Sequence, residues 1–405
     1  MLAPGGPSQP VAAKQASPLV VVPTGRPAAY YGGPPAPSRS ASPVDAKLRL
    51  AIEKRIRTAG FPAPAFDGRM DQVATDLAAL PEVTSHELIA FLGHHYGLAE
   101  PQPNLLAATT NAPDDEAVGL VMNQVESLLV KGAWPRMGLA AVRVGGDLRV
   151  ILLLGIVGVS LEALPRTLPA KGSSTVKGTL PQGFSNAQLV VTNPAGGTGR
   201  LPMRVQGNVF NGTFACVAGS GRYDVEVMAE AKRGPEVMIN VPVFCDAPPP
   251  TQFVFAAAND LDDATSSRDV EAAMVNAINR ERAKRNQASV VQDERLQKVA
   301  HAHSVQMAQL ERTAHLSPTG VGPVERVRAA GLSPSLLSEN VGSATAPSAV
   351  HEGFMASPGH RANVIEPLAT HVGVGVAVTA TAGGPTVWYV TELFARFTPL
   401  PAGHR

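Results

Sequence analysis

The chain has 405 residues, more than one core usually serves, and its 34 basic and 33 acidic residues leave a net charge of +1, so two or three domains are expected. That balance gives no reason to expect nucleic acid or an anionic membrane surface as a partner. An apolar share of 44% is ordinary for globular chains, while 36 prolines and 38 glycines point to linkers and turns.

Residues 1–43 are rich in Pro, Ala, Ser and Gly and show no apolar period, so they are expected to be a disordered tether. The apolar stretch at 19–22 is too short for a signal peptide, and none is visible. The longest apolar run, 150–159, is far short of the roughly 20 residues that span a bilayer, and no transmembrane segment is expected.

Residues 44–165 read as a first α+β domain, with Leu48, Ile52 and Ile56, then Met70, Val73, Ala74 and Leu77, at helical spacing. FDGRMDQVATDLA around Asp67 parallels VQDERLQKVAHAHS around Asp293. RMGLAAVRVGGDLRVILLL, from Arg136, parallels HVGVGVAVTATAGGPTVWYV, from His371, each as two strands joined by a Gly-bearing turn. A degenerate second copy of the later domain, lacking its SPGHR motif and hence its site, is the expectation; an unrelated small α+β domain is the alternative. His94 and His95 are adjacent, cannot point the same way on a helix, and are read as a helix end.

Residues 171–246 alternate apolar and polar positions between Asn, Gly and Pro turns, which predicts a central β-sandwich of immunoglobulin-like type. Cys216 and Cys245, the two cysteines of the chain, fall on strands of this domain; a disulfide between them would suit an oxidising compartment, and two separate buried thiols are the alternative. Such a domain is most often a spacer or a contact module. DAPPPT opens a linker at 247–267.

In the last domain, 268–398, Val270, Met274, Ala277 and Ile278 predict a helix capped by Ser267, and Leu296, Ala300, His303 and Met307 a second. His303 then lies on the buried stripe as a core histidine, with His301 exposed. The closing strands alternate strongly and should pair as a hairpin at the centre of an α/β/α sandwich. Within 338–365, Ser357-Pro358 is a helix-start signature that places His360, Arg361 and Asn363 in the first turns. His315 precedes the same signature at Ser317-Pro318.

NAINRERAKR, QDERLQKVAHAHSVQM, HLSP, ERVRAAGL, SEN, FMASPGHRANVI, HVGVGVAV and WYVTELF occur in this order. Together they resemble the CAP superfamily of cysteine-rich secretory proteins, antigen 5 and plant pathogenesis-related proteins, in its bacterial, cysteine-free form, over about 270–397. The resemblance implies the α/β/α CAP fold, an extracellular or cell-envelope location, and a cleft carrying two histidines and two acidic residues. By motif, Glu339 takes one acidic position and His315 and His360 the histidine positions, with Asn340 and Arg361 beside them. The second acidic position is occupied by Ser357, and Glu352 lies nearby at another helical phase.

His315, His360 and Glu339 would suit a divalent metal such as zinc or calcium, with an open fourth position for chemistry. Against that, Glu339 could instead cap a helix or hold Arg361 or Arg326 in an ion pair, and His360 could satisfy buried backbone groups near the strand. No G-x-S-x-G or phosphate loop is present. Three functions follow: a binding protein for a lipid, glycan or protein of the cell envelope; a metal-dependent hydrolase; or a structural envelope protein with an inert CAP domain.

Overall fold

The computed structural model describes residues 20–397, except 39, 41, 81–84, 102, 131, 256–260, 265 and 381–385. The first part of the expected tether lies outside the described residues. In chain order, β1 (Val20–Val21) and β2 (Tyr30–Tyr31) precede α1 (Pro43–Thr58), β3 (Ala65–Phe66), α2 (Gly68–Ala78), α3 (His86–His95), β4 (Asn104–Thr110), α4 (Asp114–Leu129), β5 (Arg136–Val144) and β6 (Asp147–Gly155). The sheet runs β3-β5-β6-β4, with β3 parallel to β5 and the other pairs antiparallel. Alternation along β5 and β6 divides their side chains between two helical layers. Leu139, Val150 and Leu152 meet Leu48, Ile52 and Val125 of α1 and α4; Ala140, Ile151 and Leu153 meet Val73, Leu77 and Leu88 of α2 and α3.

The middle domain comprises β7 (Ser160–Leu161), β8 (Leu164–Pro165), β9 (Thr167–Leu168), β10 (Ser173–Thr179), β11 (Ser185–Thr192), β12 (Thr198–Leu201), β13 (Met203–Gln206), β14 (Val209–Ala215), β15 (Gly221–Ala231) and β16 (Gly234–Cys245). Its sheets, β13-β14-β10-β7 and β12-β11-β15-β16-β9, share a core in which Val176, Phe210 and Phe214 meet Leu189, Val225, Val227 and Ile239. That core also takes in Val157, Val159, Leu161 and Leu164, so this domain starts before the expected residue 171. Cys216 and Cys245 are joined, with Cα atoms 5.8 Å apart.

From Val20 onward the expected tether is packed rather than free. Tyr31 is fully buried in the middle core, and its hydroxyl donates to the Pro242 carbonyl at 2.6 Å. β2 pairs with β8, and Arg69 reaches the Gly32 carbonyl at 2.6 Å. Anchor side chains spaced along a Pro-rich segment fix it without any apolar period, which is why composition alone misled. The expected linker is likewise structured: β17 (Phe253–Val254) pairs with β1, Leu261 is buried in the last core, and Asp262 accepts from the Ser348 amide at 3.0 Å.

The last domain contains α5 (Ser267–Ala283), β18 (Val291–Gln292), α6 (Glu294–Gln309), α7 (Pro323–Ala329), β19 (Leu336–Ala344), α8 (Pro347–Ala356), α9 (Pro358–Val364), β20 (His371–Ala380) and β21 (Thr386–Arg396). Ser266, rather than the expected Ser267, caps α5. The sheet order is β18-β20-β21-β19, with β18 parallel to β20 and the rest antiparallel, the same order and senses as in the first domain. Asp293 caps α6 through the Arg295 and Leu296 amides, as Asp67 caps α2 through Arg69. α6 lies on the sheet through Leu296 and Ala300 against Leu393 and Ala395, while α5, α8 and α9 cover the opposite face with Met274, Ile278, Val350, Phe354 and Val364. Close approach of α6 requires glycine in β20: a Cβ on Gly375 would stand 2.0 Å from the His301 nitrogen.

Candidate functional site at the edge strand β19

Glu339 and Asn340 are consecutive in β19, so their side chains leave the sheet on opposite faces. Glu339 pairs in register with Leu393, on the α6 face, and Asn340 with Glu392. On one face Glu339 bonds to His315, and on the other Asn340 bonds to the His360 carbonyl, while His315 stays close enough to act on the charge of His360.

On the α6 face, the Glu339 side chain is 2% exposed. Oε1 accepts from His315 Nδ1 at 2.9 Å and Oε2 from Arg326 Nη2 at 2.5 Å. A carboxylate partner requires the proton of His315 to sit on Nδ1. Arg326, on α7, also donates through Nη1 to the carbonyls of His315 (2.9 Å) and Val321 (3.0 Å). His303, on the buried stripe of α6 as expected, faces the Ala314 carbonyl through Nε2 at 2.8 Å. Burial, then the charge of Arg326, holds His303 below its ordinary value. No helix starts at Ser317-Pro318: the Ser317 hydroxyl accepts from the Val321 amide at 3.0 Å and closes a turn instead.

On the other face, the Asn340 amide donates to Glu392 Oε2 (2.9 Å) and to the His360 carbonyl (3.1 Å), while its oxygen accepts from Asn363 Nδ2 (2.8 Å). Glu392 is fully buried, and its Oε1 has no hydrogen-bond partner among the described residues. Burial pushes it up to about 7, against the pull of Asn340. Glu392, within WYVTELF, is not among the site residues expected from the sequence. The signal was present: a carboxylate in mid-strand, at an inward position of an alternating apolar run.

His360 follows its expected cap, Ser357, whose hydroxyl accepts the His360 amide at 3.4 Å. Its ring packs on Phe354, centroids 5.2 Å apart. Burial, with His315 adding to it, pushes His360 down to about 3, so the imidazole is neutral at pH 7. His360 helps line a cavity of about 770 Å³ walled by α3, α8 and the middle domain. Ile89, Phe91, Phe253, Phe354 and Met355 supply much of its apolar wall. His94, pushed down to about 4 by burial and then by Arg222, and Glu352, pushed up to about 7 by burial and then by Glu87, supply polar groups. His94 and His95 do end α3, and they face the Asn240 and Gly25 carbonyls, each at 3.0 Å.

Both oxygens of Glu339 are therefore engaged, and among the described residues no group of three His, Cys, Asp or Glu side chains could hold a metal ion. Arg326 takes the second oxygen of Glu339. Arg361 pairs not with Glu339 but with Asp224 of the middle domain, at 2.8 Å.

Residues 275–393 match the family model described as the cysteine-rich secretory protein family, CAP. The chain is 35% identical over 106 residues to the uncharacterized protein YkwD of Bacillus subtilis (strain 168), across 26% of this chain and 41% of that protein, so it spans less than half of that relative's length. Among solved structures it is similar to an outer surface protein from Borrelia burgdorferi, at 19% identity over 33% of this chain and 97% of that one, TM-score 0.29. It is also similar to an SCP-domain extracellular protein from Bacillus anthracis, at 18% identity over 48% and 67% of the two chains, TM-score 0.28. The last domain of this chain, over residues 275–393, is a CAP domain.

Proposed function

We propose that this chain is an exported binding protein of the cell envelope or extracellular space, and that it holds an amphipathic, lipid-like molecule in the cavity beside His360. The observation that carries this reading is the cavity of about 770 Å³ itself, with its largely apolar wall and a few polar groups, a size and lining typical of small-molecule sites. The Cys216–Cys245 disulfide supports an oxidising compartment. No described helix is long and apolar enough to cross a membrane. Hydrolysis has less support: Glu339, the best general base in the sequence, has both oxygens bound.

The first domain is read as a degenerate CAP copy, supported by its identical sheet order and by the Asp67 and Asp293 caps. The middle domain is read as an immunoglobulin-like sandwich. In the copy, α3 packs beside α8 and lines the cavity with it, so the repeat contributes to the site without an SPGHR motif of its own.

Binding of cis-parinaric acid, a fluorescent fatty acid, to the full chain tests the reading. Saturable binding lost when Ala90→Trp and Ala349→Trp fill the cavity from α3 and α8 is the expected result. Absence of saturable binding, or binding indifferent to both substitutions, would overturn it.

A further inference from the structure

Both histidine-bearing motifs of the CAP domain are bonded to one hairpin of the middle domain, β15–β16. Glu226 is fully buried and accepts from the Ser357 hydroxyl at 2.6 Å and the Gly359 amide at 2.9 Å. Asp224, two residues earlier and on the same face of the strand, binds Arg361 at 2.8 Å. Met228 continues that face, its sulfur 3.1 Å from where a Gly359 Cβ would stand. On the partner strand, the Asn240 amide donates to the Ala356 carbonyl at 3.1 Å. At the hairpin tip, the Arg233 carbonyl accepts from the Leu316 amide at 3.0 Å. Gly234, with φ of 109°, lies so close to His315 that an added Cβ would stand 2.9 Å from the His315 Cβ.

A spacer would not need these contacts. Burying a carboxylate is costly unless it is hydrogen-bonded, and the bonds that satisfy Glu226 come from across a domain boundary. Asp224 has the same character: burial pushes it up, but Arg222 and Arg361 more than reverse this and leave it below its ordinary value.

We infer that the CAP surface formed by Leu316, Ser357, Gly359 and Arg361 is a docking surface for an extended hairpin bearing two carboxylates two residues apart, and that its resident occupant is this chain's own β15–β16. Docked, the hairpin lies over His315 and fixes the helix that carries His360. An external partner for this surface would have to present the same acid-x-acid strand and displace it. The inference rests on the contacts between domains and not on what fills the cavity.

Amide exchange of the full chain provides the test, with Asp224→Asn and Glu226→Gln combined. Replacing both carboxylates by amides leaves one acceptor oxygen on each and removes the charge that strengthens the bonds to Arg361, Ser357 and Gly359, which should raise exchange at 315–318 and 357–361 by about tenfold or more, with β10, β11 and β14 unchanged. Exchange unaltered at both motifs would overturn the inference, as would a uniform rise across the middle domain, which would mean that the two acids serve that domain's own fold. A second measurement needs no destabilising variant. A photoreactive benzoylphenylalanine in place of Lys232, in an otherwise unchanged chain, should crosslink to residues 312–318; crosslinks elsewhere, or none, would refute docking.

Discussion

Arg326→Met should be among the most damaging single substitutions in the CAP domain, and a second substitution should partly repair it. The guanidinium pairs with a carboxylate whose side chain is 2% exposed and is itself 13% exposed, and it also satisfies the His315 and Val321 carbonyls. Removing one partner of a buried pair costs about 3–5 kcal/mol, because the other charge stays behind in a poorly solvated place. The part-buried His315 carbonyl left without this donor adds about 1 kcal/mol, while water can replace Arg326 at the exposed Val321 carbonyl. Arg326→Met with Glu339→Gln leaves no stranded charge and keeps an oxygen for His315 Nδ1, so the double variant should recover about half of the loss or more. The chain has two tryptophans, and Trp388 packs against the CAP core. Its fluorescence during urea unfolding, in a Trp134→Phe background, reports that domain. A double variant less stable than Arg326→Met alone would refute the reasoning.

The pH profile of stability should be a flat-topped dome. His86, His94 and His351 are held down to about 4 and His360 to about 3, all chiefly by burial; their contribution is intact above 6.5 and is lost as pH falls from 6.5 through these values. Glu100, Glu226, Glu352 and Glu392 are pushed up to about 7, again chiefly by burial; theirs is intact below 4.5 and lost as pH rises through about 7. The opposed slopes offset one another between 4.5 and 6.5, so the thermal midpoint should fall on both sides of that window, and a midpoint climbing steadily from pH 6.5 to 8 would contradict the account. Gly375→Ala places a Cβ 2.0 Å from the His301 nitrogen, and since backbone cannot yield as a side-chain tip does, a loss of at least about 1–3 kcal/mol is expected; a loss below about 0.5 kcal/mol, within the range of neutral surface changes, would show that α6 does not lie where described. Opening the disulfide by Cys216→Ala and Cys245→Ala releases a loop with a sequence separation of 29, which on the chain-entropy account costs about 3–4 kcal/mol, read as the urea midpoint of the middle domain.

The CAP domain was legible because its signals are local and repeated: the cap at Asp293, the glycines of HVGVGVAV, the alternation of the closing strands. The pairing of Cys216 with Cys245 was legible because both cysteines fell on strands of one domain. What escaped the sequence was chiefly non-local. Nothing near Tyr31 announces that it enters a core more than a hundred residues away, and nothing near Asp224 or Glu226 announces that they bind the motif carrying His360. The separation of Glu339 from Asn340 was readable in principle, since neighbours on a strand must face apart. SEN hides it by reading as a motif rather than as three strand positions.

The proposed lipid-like ligand would lie in the cavity beside His360 that α3 and α8 line together. Photolysis of a diazirine-bearing fatty acid bound to the full chain, with adducts located by mass spectrometry, tests this placement most directly. Adducts at 86–94 and 349–361, competed by unlabelled fatty acid, are predicted. Adducts confined to exposed apolar residues such as Val217 or Leu50, and not competed, would contradict it.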